Sequence, residues 1–484
     1  MIFPSLDRVK AIAPGYDIVP VYMEILSDVR TPISVLKALK QVSSHTYLLE
    51  SADNSNHWGR YSFLGYDPKI ELFCKNHKMT IKDGTTRTFK CSDPAAEIRN
   101  ILSQYKSPRL EELPTFTGGF VGYFACEYIR YIEPTPDDDS AMVNDVDLML
   151  FDKVIAFDHY KNKIYLIANI STNDLERNYN KAELELKALA DLVVNGKEAD
   201  IPKGILKTEF TSEFTKDEFE AVVKKTQHYI KEGDIFQCVV SNRREAEFDG
   251  SLLNAYRVLR TLNPSPYMFY LSGGDVELTG ASPETLVKLT DGKMYTFPIA
   301  GTMRRGKNEA EDLAIEEKLI NDEKELAEHN MLVDLGRNDL GKISKFGSVK
   351  VEALHMLQRF SHVIHITSTV SGDIQDGKDA LDAIGATLPA GTLSGAPKIR
   401  AIEILHELEK SPRGVYGGAV GYIDFSGNMD VCIGIRMAMN KGGKVYVRAG
   451  AGIVRDSVPA SEYNETLIKG QSMISAITDA QEVE

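Results

Sequence analysis

Cysteine is scarce and scattered in this chain of 484 residues: Cys74, Cys91, Cys126, Cys238 and Cys432, with no Cys-x-x-Cys pair. An odd, dispersed set excludes a disulfide framework and reads as reduced core thiols. No apolar stretch reaches the length of a membrane span. Residues 1–17 lack a basic start followed by an apolar run, so no secretory signal is expected. Positive charge is in deficit, with 56 Lys and Arg against 70 Asp and Glu and a net charge of −14. That argues against nucleic acid, whose phosphates need a basic face, but not against a small anion held in a local pocket. No GxGxxG or P-loop is present, which removes the usual dinucleotide and ATP cradles. There is no GxSxG elbow and no cysteine in a nucleophile-type glycine turn. The expectation is a soluble cytoplasmic protein.

What is present is a hydrophobic share of 43%, enough for a sizeable core, and a length suited to two or more domains or one large composite one. The first 200 residues are rich in alternating strand-like runs with a few helices. Residues 195–211 are polar and aperiodic, and we place a boundary there, dividing 1–205 from 206–484. Beyond it the pattern predicts a helix over 216–232 and a long charged helix over 308–335. A β-meander of strands 415–424, 430–439 and 444–453 is followed by a final helix over 461–476. Strand runs with helices segregated among them predict an α+β fold. GGFVGY (118–123) resembles GGAVGY (417–422), a six-residue match compatible with internal duplication and with coincidence alike.

Two Glu-x-x-Glu pairs stand out: Glu325 with Glu328, and Glu462 with Glu465. Each lies in a predicted helix, where a spacing of three puts both carboxylates on one face. Most such pairs in an acidic protein are solvated helix faces. Two of them facing each other would form an oxygen-only set suited to Mg²⁺, which leaves positions open for an anionic substrate. Gly450 and Gly452 sit inside a predicted strand, where glycine asks for a reason such as close approach to a ligand. Arg436 lies among apolar neighbours in Ile433-Gly434-Ile435-Arg436-Met437; a strand arginine so flanked faces solvent or meets a buried anion. His365, in an apolar run, reads as a core histidine or a base. Glu284 follows a turn and reads as a helix-start carboxylate or a general acid. The small-residue loop 387–397 precedes a helix and offers amides to an anion, or is merely a loop.

Taken together, several segments resemble the chorismate-utilising enzymes, and among them the large subunit of anthranilate synthase. They are GASPETL (280–286), PIAGTMRRG (298–306), KELAEHNMLVDLGRNDLGKI (324–343), HVIHITSTVSG (362–372), LPAGTLSGAPKIRA (388–401), YGGAVGYIDFSG (416–427), CIGIRMA (432–438) and AGAGIVRDSVPASEYNET (449–466). They cover most of 206–484 in family order. The resemblance implies large antiparallel sheets packed as a sandwich with helices outside. It implies Mg²⁺ held by Glu325, Glu328, Glu462 and Glu465, with Glu328 and Glu465 as direct ligands. Gly301, Thr302, Tyr416, Arg436, Gly450, Ala451 and Gly452 match chorismate-contacting positions. Glu284 matches the general acid for the departing hydroxyl, and His365 and Thr392 match further active-site positions.

The implied reaction adds ammonia to chorismate and eliminates pyruvate to give anthranilate. Relatives that make 4-amino-4-deoxychorismate often carry a lysine where this chain has Ala300. Those that activate water use a lysine at the position of Gln237. Both departures point to anthranilate rather than the folate branch. A non-catalytic tryptophan sensor is the rival from a different class, and the intact carboxylate quartet speaks against it. No glutaminase triad is recognisable, so a separate glutamine amidotransferase subunit is implied, in a heterotetramer. Leu48-Leu49-Glu50-Ser51 and Asn263-Pro264-Ser265-Pro266-Tyr267-Met268 resemble the family's tryptophan-binding segments. Glu50 and Ser51 would bind the polar end of the inhibitor, and Pro266, Tyr267 and Met268 the indole.

Overall fold

A computed structural model describes residues 2–51, 59–136, 140–359 and 363–483. His362, at the head of one family-like segment, lies outside them. Two large antiparallel sheets carry the fold, with helices packed around them. The expected α+β sandwich is what forms.

The larger sheet has Thr46–Glu50 beside Tyr267–Gly273 at its centre. Outward on one side come Tyr61–Tyr66, Lys153–Asp158, Lys163–Ser171 and Ile18–Leu26. On the other come Val276–Ser282, Met437–Lys441, Lys444–Ile453 and Gln237–Asp249. The smaller sheet is centred on Gly119–Phe124 paired with Ala419–Asp424. From there Val146–Phe151, Ile70–Lys75, Lys78–Lys82 and Thr86–Lys90 lead one way. Met429–Ile433, Thr285–Thr290, Lys293–Thr296, Val363–Asp373 and Ile299–Arg304 lead the other.

Read outward from each centre, the two halves of a sheet repeat the same order of strands. Gly122 faces Gly421 across the central pair of the smaller sheet, so the GGFVGY and GGAVGY segments are the innermost strands of the two halves. The short match therefore marks a duplicated architecture. Both sheets take strands from each side of residue 205.

Local sequence explains the elements that matter here. Val363–Asp373 alternates, with Ile364 and Ile366 fully buried and His365 turned to the opposite face. Between the sheets lie Tyr47, Phe116, Phe151 and Phe269, all at 1% exposure or less. Tyr47 and Phe151 pack edge-to-face at 4.7 Å, a geometry the ring quadrupole favours.

The helix expected over 308–335 is two helices, Glu309–Ile320 and Glu323–Gly341. The break falls where the Asp322 carboxylate accepts from the amides of Lys324 and Glu325, capping a fresh start. The strand expected over 430–439 is also two, Met429–Ile433 and Met437–Lys441, and they belong to different sheets.

A Cβ placed on Gly122 would lie 2.0 Å from the Asp147 carbonyl oxygen. Gly122→Ala should therefore lower unfolding free energy by roughly 1–3 kcal/mol, the usual cost of overpacking. Urea denaturation checks this, and an unchanged midpoint would contradict the tight seam.

Candidate active site

The chain leaves the larger sheet at Ser282 and enters the smaller one at Thr285, so Pro283 and Glu284 form the crossing. A second crossing runs back beside it, from Ile433 through Gly434, Ile435 and Arg436 to Met437. The two are tied together. The Ile433 amide donates to the Glu284 carbonyl at 3.0 Å, and the Ala281 amide to the Arg436 carbonyl at 3.0 Å. Arg436 is thus not mid-strand, as its apolar neighbours suggested. It sits at the bend with φ 50°, a left-handed conformation that a non-glycine residue adopts only where its surroundings impose it.

Glu284 is held at this seam with its Oε1 accepting from the Thr392 hydroxyl at 2.9 Å. Burial pushes its carboxyl up to about 7, against the opposing pull of that hydrogen bond and of the Lys469 charge. A carboxylic acid that is half protonated near neutrality can deliver a proton. The loop 387–397 thus acts through a hydroxyl on Glu284.

On the neighbouring hairpin, Thr302 lies opposite His365, and the register slips between Ala300 and Thr302. Gly301, with φ 62°, absorbs the extra residue of this bulge. The Thr302 hydroxyl is 3.0 Å from His365 Nδ1, and the Gly301 carbonyl is 3.2 Å from the same atom. The carbonyl accepts only if Nδ1 carries the proton, which makes Nε2 the basic atom. Burial lowers the imidazole pKa; the Gly301 carbonyl opposes this, and the nearby Arg436 charge adds to it.

Strand Lys444–Ile453 outruns its neighbour, because pairing with Met437–Lys441 ends at Ala438 opposite Val447. Its other edge stays paired, with Gly450, Ala451 and Gly452 facing Ser241, Val240 and Val239. The early end of one strand, set by the bend at Arg436, opens backbone groups next to the bend. The glycines have specific reasons. A Cβ on Gly450 would lie 2.7 Å from the Tyr416 hydroxyl, and one on Gly452 would lie 2.9 Å from Gln237 Nε2.

One residue in this corner was missed by sequence reasoning. Lys469 Nζ donates to the Gly450 carbonyl at 3.2 Å and pairs with Glu465 at 2.6 Å, while Arg436 Nη1 donates to the Lys469 carbonyl at 2.7 Å. Its place four residues after Glu465 on a predicted helix was the signal available.

The carboxylate pairs occupy the starts of helices Glu323–Gly341 and Pro459–Asp479. Burial and the repulsion of Glu328 and Asp322 raise the Glu325 carboxyl. Burial and the charge of Glu465 raise that of Glu462, which also feels Lys324 from the other helix. Among the described residues no three metal-ligating side chains converge. The donor set nevertheless suits a hard divalent cation: all are oxygens, and each pair carries a like-charge repulsion that a cation would relieve.

Arg413 was also missed. It pairs with Glu409 and donates to the carbonyls of Leu393 and Val239, and its guanidinium lies 5.8 Å from the centre of the Tyr416 ring. One buried side chain therefore spans the Thr392 loop, the strand opposite Gly452, and Tyr416.

Away from this seam, the two tryptophan-like segments lie side by side, with Glu50 opposite Met268. Glu50 already accepts from Ser62, Tyr256 and Arg260, the last at 2.9 Å. The Ser51 hydroxyl is buried without a partner among the described residues. Tyr267 donates to Asp430 at 2.8 Å, and Pro266 directly precedes it.

A family model described as chorismate binding enzyme matches residues 45–475. Anthranilate synthase component 1 of Acetivibrio thermocellus is 44% identical, covering 100% of both chains. That of Aquifex aeolicus is 43% identical over 99% of this chain and 98% of the relative. Among solved structures, anthranilate synthase component I from Streptococcus pneumoniae superposes with a TM-score of 0.74 at 36% identity, covering 93% of this chain and 98% of that one. The menaquinone-specific isochorismate synthase of Escherichia coli shares the fold, with a TM-score of 0.70 at 18% identity over 98% and 99% of the two chains.

Because the fold holds Glu284 protonated above its ordinary 4.5, to about 7, its stabilising contribution is complete below the lower value. It is lost as pH rises through the upper one. The unfolding free energy of the native chain, relative to Glu284→Gln, should therefore fall across that window by up to roughly 3 kcal/mol. Urea melts of both proteins below and above the window measure this. A constant difference would mean that Glu284 is not held neutral.

Proposed function

The chain belongs to the chorismate binding enzyme family, and on that premise we propose that it is the large subunit of an anthranilate synthase. In this reading it is a lyase that aminates chorismate with ammonia and eliminates pyruvate. The observation that carries the reading is the seam itself, where the Glu284 carboxyl is held by Thr392 on one crossing, Arg436 bends the crossing bonded to it, and His365 feels the Arg436 charge.

Arg436 and the backbone of Gly450, Ala451 and Gly452 bind the pyruvyl carboxylate, and Tyr416 closes that side. Gly301 and Thr302 contact the ring. Glu284 donates its proton to the 4-hydroxyl as it leaves as water, while ammonia forms the new bond at C2. His365, neutral because burial disfavours its charge, takes the ring proton as pyruvate departs and the ring becomes aromatic. Thr392 keeps the Glu284 carboxyl aimed. Glu328 and Glu465, supported by Glu325 and Glu462, would hold a Mg²⁺ ion, which when bound would supply charge neutralisation for the ring carboxylate and Lewis-acid polarisation for the departing hydroxyl. Ala300 and Gln237 supply no amine nucleophile or base, which supports ammonia over water or a covalent lysine. Ammonia comes from a glutamine amidotransferase subunit, and tryptophan inhibits through Glu50, Ser51, Pro266, Tyr267 and Met268.

Chorismate, Mg²⁺ and an ammonium salt should give anthranilate fluorescence, and tryptophan should suppress it. Glu328→Gln should lower kcat by on the order of 10²-fold or more with the fold intact, since charge stabilisation by a metal contributes several kcal/mol. Full activity in that variant would remove the metal assignment. Ser51→Ala should keep activity and weaken inhibition. Unchanged inhibition would move the tryptophan site elsewhere.

A further inference from the structure

The duplicated strand order builds a second inter-sheet cleft at the place matching the proposed tryptophan site. Aligning GGFVGY with GGAVGY sets Tyr123 against Tyr422. Asp147 lies opposite Tyr123 as Asp430 lies opposite Tyr422. Met149 lies opposite Val121 as Cys432 lies opposite Val420. In the larger sheet, His45 directly precedes the central strand Thr46–Glu50 just as Tyr267 opens Tyr267–Gly273 at Met268. His45, Tyr123, Asp147 and Met149 all line one cleft of about 400 Å³.

The twins differ in one chemical respect. Asp430 is satisfied by the Tyr267 hydroxyl at 2.8 Å and by the Lys288 ammonium at 3.2 Å. At the matching positions stand His45 and, opposite Asp147, Phe73. Neither serves Asp147. His45 turns to the Gly274 amide and Glu71, and Phe73 is apolar. Among the described residues Asp147 accepts from the Asn144 amide at 2.8 Å and forms no salt bridge, because Lys441, which lines the same cleft, pairs with Asp275 at 2.8 Å. The Tyr123 hydroxyl beside it is buried, on a residue only 4% exposed, and makes no side-chain hydrogen bond among the described residues. Burial, with the charges of Glu71 and Asp275, pushes the Asp147 carboxyl up to about 6, against the pull of the Asn144 hydrogen bond and the Lys441 ammonium. Phe73, Met149, Leu271 and Leu278 supply apolar walls.

We propose that this cleft is a second small-molecule site, taking a ligand that joins an ammonium group, paired with Asp147, to an apolar body lying against Phe73 and Met149. The volume is that of ordinary ligand pockets, and an ammonium replaces the cation that the twin draws from Lys288. The site does not depend on the chemistry at Glu284, or on whether tryptophan binds at Glu50 and Ser51.

Phenethylamine is the probe. Calorimetric titration into the full chain should show one saturable site, and hydrocinnamate, with the same ring but no amine, should not bind there. Asp147→Asn, which keeps the shape of the side chain, should weaken phenethylamine by at least about tenfold, as expected for a lost charge-assisted contact. In the unmutated protein with labelled methionine methyls, Met149 should shift with the same affinity while Met268, buried in a separate core cluster, stays still. That second measurement reads the unmutated protein, and Met149→Leu serves only to assign the signal. Absence of saturable heat would overturn the proposal. So would binding that leaves Met149 unmoved or that is indifferent to Asp147→Asn.

Discussion

Everything at the proposed catalytic centre depends on two adjacent chain segments changing sheets together. The crossing at Pro283-Glu284 and the crossing at Gly434-Ile435-Arg436 are bonded to each other through Ile433 and Ala281. Because strand Met437–Lys441 starts only after the bend, the edge of Lys444–Ile453 beyond Val447 is left without a partner strand on that side among the described residues, and Lys469 reaches the Gly450 carbonyl there. A buried carboxyl, a buried guanidinium and unpaired backbone groups are thereby forced into one place. Unpaired backbone groups are costly in a protein interior, so the same arrangement that opens them calls for something polar to meet them.

The electrostatics follow from that placement. Glu284 is raised because burial in the seam outweighs the Thr392 hydrogen bond and the Lys469 charge that pull it down. Lys469 balances the corner by pairing with Glu465 and donating to Gly450. Arg413 fixes the distances among the parts, reaching the carbonyls of Leu393 and Val239 at once. Its charge is matched by Glu409, which also meets Arg448; this compensation is what lets an arginine be buried so deeply.

Much of this was legible in the residues and some of it was not. The carboxylate pairs were picked out by spacing, although no three such side chains converge among the described residues, and Glu284, His365 and Thr392 were assigned by resemblance. The fold class followed from the run of strands. The sheet change at Arg436 was hidden, because Cys-Ile-Gly-Ile-Arg-Met-Ala reads as one alternating strand and nothing local says that its two ends pair with different neighbours. The split of the 308–335 helix turned on a single capping aspartate in a stretch whose charge pattern ran on unbroken. Lys469 and Arg413 were invisible for a different reason: each matters through contacts with residues distant in the chain, and such contacts leave no periodicity. The duplication left a six-residue trace, and only the strand order gave it meaning.

The most direct test of the account is the pH dependence of kcat/KM for anthranilate formation, in the native chain and in Thr392→Val. That parameter reports the free enzyme, and a general acid loses its proton on the alkaline side. The account predicts a decline centred near 7, the value to which burial raises Glu284. It predicts that the decline moves to higher pH in the variant, where the hydrogen bond that lowers the Glu284 pKa is gone. An alkaline limb at the same pH in both proteins would contradict the claim that the paired crossing makes Glu284 the acid.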